Sequence, residues 1–149
     1  MNTHKIIEHI RAAQKLALKD GIPNIVQPGI VKELIIADIL GHQVIPDKAK
    51  ADARDDAGNL YEYLSSLTTS KNFQIDRVTD GNFHRITRNR AIYCAFFSDP
   101  LTLASLYELD TTVVLAEVKR QLTGSKNSIS HLNLPGGWVI KNGRKVYPK

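Results

Sequence analysis

The sequence predicts an α+β (mixed α/β) fold, a mixed central β-sheet flanked by helices, with residues 1–149 forming a single domain. Three observations predict it. Apolar residues recur at helical spacing through the first 40 positions. Between residues 43 and 109 the texture changes to short alternating or apolar runs bounded by turn residues. A capped helical segment then follows at 111–122, before a last pair of short apolar segments. A chain of 149 residues with 42% hydrophobic content is long enough for one core and too apolar for disorder.

The first helix is expected over 3–20, where Ile6, Ile7, Ile10, Ala13, Leu16 and Ala17 fall on one face and Gly21 and Pro23 stop it. A second is expected over 29–40. Val31, Leu34, Ile35, Ala37, Ile39 and Leu40 give it a broad apolar surface, which points to burial in the fold or in a subunit interface. Strands follow at 43–45 and 52–56, with a tight turn at Ala57-Gly58, and then at 59–68, where alternation is clear. Residues 69–72 make a polar turn into a strand at 73–78; if 59–68 and 73–78 pair as a hairpin about it, Gln74 and Asp76 face the same side as Glu62 and Leu64. The polar, basic stretch 79–90 has no clear assignment. Residues 91–98 form a continuous apolar run of central-strand type, with Cys94 as a core thiol. Asp99-Pro100 breaks it before a strand at 101–109. Asp110 caps the helix 111–122, which Gly124 closes. Residues 125–135 are expected as a loop, and 138–141 with 145–147 as a terminal hairpin across Asn142-Gly143.

A single cysteine excludes a disulfide framework within the monomer and suits a reducing compartment. No apolar run approaches the ~20 residues of a membrane span, so no membrane association is expected. The N-terminus leads into an amphipathic helix rather than a signal peptide. The net charge of +5 fits a polyanionic partner, because phosphate contacts favour Lys and Arg.

The stretch that carries chemistry is residues 52–65. Asp52 and Glu62 lie on neighbouring strands with a turn between them, and alternation puts Glu62 and Leu64 on one face. A converging pair of this kind suits Mg²⁺, a hard cation that takes carboxylate oxygens and keeps several waters. Solvated carboxylates on a hairpin have the same spacing, and spacing alone does not separate the two.

Asp52-Ala53 through Ala57-Gly58 and Tyr61-Glu62 is similar to the catalytic hairpin of the restriction-endonuclease-like PD-(D/E)XK nuclease superfamily. Its pattern is an Asp, a spacer, then Asp or Glu, any residue, and Lys. The likeness extends to the PvuII-like type II restriction endonucleases. It includes Leu16-Ala17-Leu18-Lys19-Asp20-Gly21-Ile22, the apolar strands of 91–109, Gly137-Trp138-Val139 and Asn142-Gly143-Arg144-Lys145-Val146-Tyr147, and so spans nearly the whole chain. It implies a restriction-endonuclease-like core and a Mg²⁺-dependent, type II site-specific deoxyribonuclease acting on double-stranded DNA at a short palindromic site. It also implies a homodimer joined through the N-terminal helices, a prokaryotic cytoplasmic setting, and a cognate DNA methyltransferase acting on the same site.

Carried over by residue, Asp52 and Glu62 take the metal-ligand positions, and the catalytic Lys position falls on Leu64. That departure leaves three readings. Another residue supplies the missing group, with Gln74 preferred and Lys71 and Arg77 as cations; or the position is mutated; or the protein is a catalytically inactive DNA-binding protein or a nicking subunit of a larger nuclease. Glu33, on the second helix, is an additional active-site candidate or a solvated helix charge. The aspartate position that the resemblance places toward the minor groove falls on Pro28, so that role is not inherited. The base-reading histidines of the pattern are absent after the hairpin. Gln74, Asp76 and Arg77 stand there instead, suited to adenine, cytosine and guanine respectively. His84, Arg85, Arg88 and Arg90 are expected at phosphates or bases, or on a solvated surface, and the loop 126–131 is a weaker DNA-facing candidate. His4, His9 and His42 are expected as structural or exposed residues.

Overall fold

In a computed structural model of the chain, the residues described are 1–47, 50–76, 83–124 and 131–149. The helices are α1 (Thr3–Lys19), α2 (Ile30–Leu40), α3 (Thr111–Thr123) and α4 (Gly136–Asn142). The strands are β1 (Gln43–Val44), β2 (Ala53–Arg54), β3 (Leu60–Leu67), β4 (Asn72–Asp76), β5 (Asn89–Asp99), β6 (Thr102–Asp110), β7 (His131–Pro135) and β8 (Arg144–Tyr147). A 3-10 helix, Phe83–Arg88, leads into β5. Among the described residues no helix is long and apolar enough to cross a membrane.

Six strands form one sheet in the order β1-β2-β3-β5-β6-β8. It is mixed: β3 and β5 run parallel and the other pairs antiparallel. Alternation along β3 and β5 divides the core in two. Tyr61, Tyr63, Tyr93, Ala95 and Phe97 pack with Ile36 and Ala37 of α2 on one face. Ile92, Cys94 and Phe96 pack on the other with Phe73 of β4, Val114 and Val118 of α3, and Val139 of α4. The expected α+β fold and flanking helices are therefore present, and Cys94 is fully buried.

Three expectations are corrected. β3 and β4 do not form a hairpin. β3 takes β5 as its parallel partner, and β4 pairs with β7 in a separate two-stranded ribbon. The chain leaves the sheet at residues 68–71, where Ser70 and Lys71 both donate to Leu67 O and Lys71 adopts φ 54°. Phe73 then buries its ring over the sheet against Phe96. Second, residues 131–135 are strand rather than loop, satisfied by that ribbon. Third, 138–141 is helical. Val139 is buried, the Asn142 side chain donates to Trp138 O, and Gly143 N–H closes the helix on Val139 O. Asn142-Gly143 is thus a helix end, and β8 pairs with β6.

Helix α1 buries little beyond Ala17, which packs with Ile22 and Ile30. Its C-terminal half is tied down by Gln14, whose side chain donates to Pro23 O and accepts from Ile25 N–H. Ile6, Ile7 and Ile10 remain exposed.

Candidate active site

The turn between β2 and β3 is built around Asp55. Its carboxylate accepts from the backbone N–H and the side-chain amide of Asn59, at 2.9 and 2.8 Å, and from the Tyr61 hydroxyl at 2.8 Å. Gly58 takes the left-handed φ of 83° that the turn requires, a conformation costly for a residue with a Cβ. The Asn59 side-chain bond, followed by those of Tyr61 and the backbone, holds the Asp55 carboxyl down at about 2. Burial and the same Asp55 contact push the Tyr61 phenol up to about 12.

That turn returns the chain so that Asp52, just before β2, brackets Glu62. Asp52 N–H donates to Tyr61 O at 3.1 Å, and Asp52 Oδ2 accepts from Tyr63 N–H at 2.8 Å. The residues on either side of Glu62 are therefore both bonded to Asp52, which makes the two acids neighbours across the strands. Tyr61 and Tyr63 face the α2 side, so Glu62 and Leu64 point the other way, and Leu64 packs against the apolar cluster there.

Beneath the hairpin lies an aromatic layer that sequence reasoning missed. His42 stacks on Tyr61 with ring centroids 4.2 Å apart, and its Nδ1 lies 2.7 Å from the Tyr63 hydroxyl. Burial lowers the His42 pKa, opposed by the negative charges of Asp55 and Glu108. The Tyr93 hydroxyl donates to Glu108, which also accepts from Arg144. The signal was present in the parity: Tyr61, Tyr63 and Tyr93 share one face, so three phenols had to find partners there.

Beside Leu64 a cleft of about 560 Å³ runs between α2, the edge of β3 and β4. Its walls include Lys32, Glu33, Leu64, Ser65 and Gln74. Gln74 and Leu64 thus meet in one cleft, although β4 arrives as part of the β4–β7 ribbon rather than as the partner of β3. Glu33 is buried, at 9% exposure, and is not the solvated helix charge that was the alternative. Among the described residues no three or more His, Cys, Asp or Glu side chains form a group able to hold a metal, so Glu33 does not join Asp52 and Glu62 in one cluster. Lys71 lies exposed in the turn and does not line the cleft.

Arg85 and Arg88 are exposed on the 3-10 helix, three residues apart and hence on one side of it. That helix feeds β5, whose Ile92 lies beside Glu62 in the register. Exposed Arg90 follows at the start of β5. Arg77, the side chains of Asp76 and His84, and the loop candidate 126–131 lie outside the described residues, apart from the backbone of His131 in β7. His4 is exposed and pairs with Glu8, and His9 is exposed on α1.

A family model described as "Restriction endonuclease PvuII" matches residues 1–147, nearly the entire chain.

Proposed function

Because the chain belongs to the PvuII restriction endonuclease family, whose members are type II site-specific DNA nucleases, we propose that it is a Mg²⁺-dependent homodimer that hydrolyses both strands of duplex DNA at a short palindromic site. The observation that carries the reading is the double attachment of Asp52 around Glu62. It supports a two-carboxylate donor set, and Mg²⁺ is commonly bound by one or two carboxylates with waters and substrate phosphate filling the remaining positions. The donor set fits the ion, with Asp52 and Glu62 as the holding residues. When bound, Mg²⁺ supplies Lewis acidity and a positive charge at the phosphate.

The protein's own part is placement. The Asp55-centred turn and the Tyr61–Tyr63–His42 layer fix the hairpin, and through it the two carboxylates. In the reaction a water oxygen bonds to phosphorus, one P–O ester bond breaks, and the released alcohol oxygen takes up a proton in place of the one water loses. Gln74, across the cleft from α2, holds a water or a phosphate oxygen by hydrogen bonding. Arg85 and Arg88 grip phosphates beside the site, and Gln74, Asp76, Arg77 and His84 are the base-reading or phosphate-binding set.

Two-fold symmetry of the protein would match a palindromic site and give one active site to each strand. The apolar, exposed face of α1 supports a dimer through the N-terminal helices. A nuclease of this kind implies a methyltransferase that protects the same site in the host.

Leu64 favours a second reading, a DNA-binding protein or nicking subunit on the same fold. Plasmid incubated with Mg²⁺ separates them. Discrete linear fragments are expected; binding without cleavage, or nicks alone, would overturn the proposal in favour of the second reading.

A further inference from the structure

Among the described residues that line the cleft beside Leu64, one side chain is basic, Lys32. It projects from the first turns of α2, and its Nζ sits 5.2 Å from the centre of the Phe97 ring. Phe97 is fully buried at the far end of β5, opposite Leu67 of β3. The ammonium is therefore held against the α2 face of the sheet, and the Lys32 side chain also lines the cleft. A cation–π contact of this kind holds a lysine only weakly where water has access. A stronger anion draws the ammonium away from the ring.

The anion has a place to lie. β2 pairs with β3 only as far as Tyr61, so among the described residues the edge of β3 at Leu64 and Ser65 opens into the cleft instead of meeting another strand of the sheet. Ser65 is exposed there, and Gln74 closes the opposite wall. Glu62 lies two residues from cleft-lining Leu64 on the same face of β3, and a phosphodiester in the cleft beside Leu64 would meet the carboxylate of Glu33, whose charge a cation is needed to offset. Leu64 supplies none, since its side chain is packed into the apolar cluster that includes Cys94.

We propose that Lys32 supplies, from helix α2, the cation that β3 lacks at Leu64, and that its ammonium contacts the non-bridging oxygens of the DNA phosphate cut beside Asp52 and Glu62. The proposal rests on the nuclease reading for the identity of the phosphate. Lys32 transfers no proton in this role. It offsets charge as the phosphate oxygens become more negative during attack.

The test is Lys32→Met, which keeps the length and apolar contacts of the stem, alone and combined with Leu64→Lys. Two readouts are taken: cleavage of plasmid DNA with Mg²⁺, and the salt dependence of binding to a random-sequence duplex without divalent metal. Lys32→Met is expected to cut on the order of 100-fold more slowly, as for loss of one preorganised charge contact. The slope of log affinity against log salt should fall by about 0.9 for each subunit, the loss of one phosphate contact. Adding Leu64→Lys to Lys32→Met should restore cleavage, which a purely structural role for Lys32 would not allow. Wild-type cleavage by Lys32→Met, or no rescue, overturns the proposal. If the wild-type protein itself cuts nothing, the nuclease reading fails separately. The salt slope then decides for Lys32: a fall of the stated size supports its phosphate contact, and an unchanged slope overturns it.

Discussion

Asp52 is bonded on both sides of Glu62: its backbone N–H donates to Tyr61 O, and its carboxylate accepts from Tyr63 N–H. The relation between the two acids is therefore set by one backbone bond and one bond from the Asp52 carboxylate to the backbone beside Glu62. It depends in turn on the register of β2 against β3, which the Asp55 turn sets.

Tyr61→Phe tests that dependence. The change removes the hydroxyl's bond to Asp55 and leaves the ring stacked on His42. The melting temperature is expected to fall by about 2–4 °C, the effect of one hydrogen bond in a domain of this size. Differential scanning calorimetry measures it. An unchanged melting temperature would show that the phenol does not brace the turn.

The turn also has an acid limit. The Asp55 pKa is lowered in the folded chain to about 2, below the usual ~3.9 of an unfolded aspartate. Its stabilising contribution is thus complete above the unfolded value and is lost as the pH falls through about 2. The stability difference between wild type and Asp55→Asn should be constant from neutral pH to about pH 5, then shrink toward pH 2. Urea unfolding across that range is the measurement, and a difference that grows on acidification would contradict the assignment.

Helix α1 gives a third expectation. Ile6 and Ile10 are 54% and 47% exposed on a helix that buries almost nothing in its own subunit. The doubly substituted Ile6→Glu, Ile10→Glu protein should sediment as a monomer where the wild type sediments as a dimer. A wild-type monomer at micromolar concentration would remove the symmetry argument for a palindromic site.

Much of this was legible in the sequence because it is local. The first three helices, the apolar run of β5, the Asp110 cap and the turn at Ala57-Gly58 follow from periodicity and turn chemistry over short distances, whereas the metal-ligand roles of Asp52 and Glu62 come from the family resemblance. What was not legible is long-range. Nothing in residues 59–78 reveals that β3 prefers β5 to its sequence neighbour β4, because parallel pairing brings together segments separated by the whole of residues 68–88. The helix at Trp138 was misread for a related reason: Trp-Val-Ile has strand propensity, but burial of Val139 and closure by Gly143 decide its conformation. The burial of Glu33 and the position of Lys32 at the same cleft are likewise products of helix packing and leave no mark in spacing.

The central claim is that Asp52 and Glu62 act together as the metal-holding pair of a DNA nuclease. Single-turnover cleavage by Asp52→Asn and Glu62→Gln, compared with wild type at saturating protein and matched Mg²⁺, tests it most directly. Each variant should bind duplex DNA and cut it on the order of 10²–10³-fold more slowly, the usual cost of removing a preorganised charge contact from a reacting centre. A wild-type rate in either variant would contradict the account.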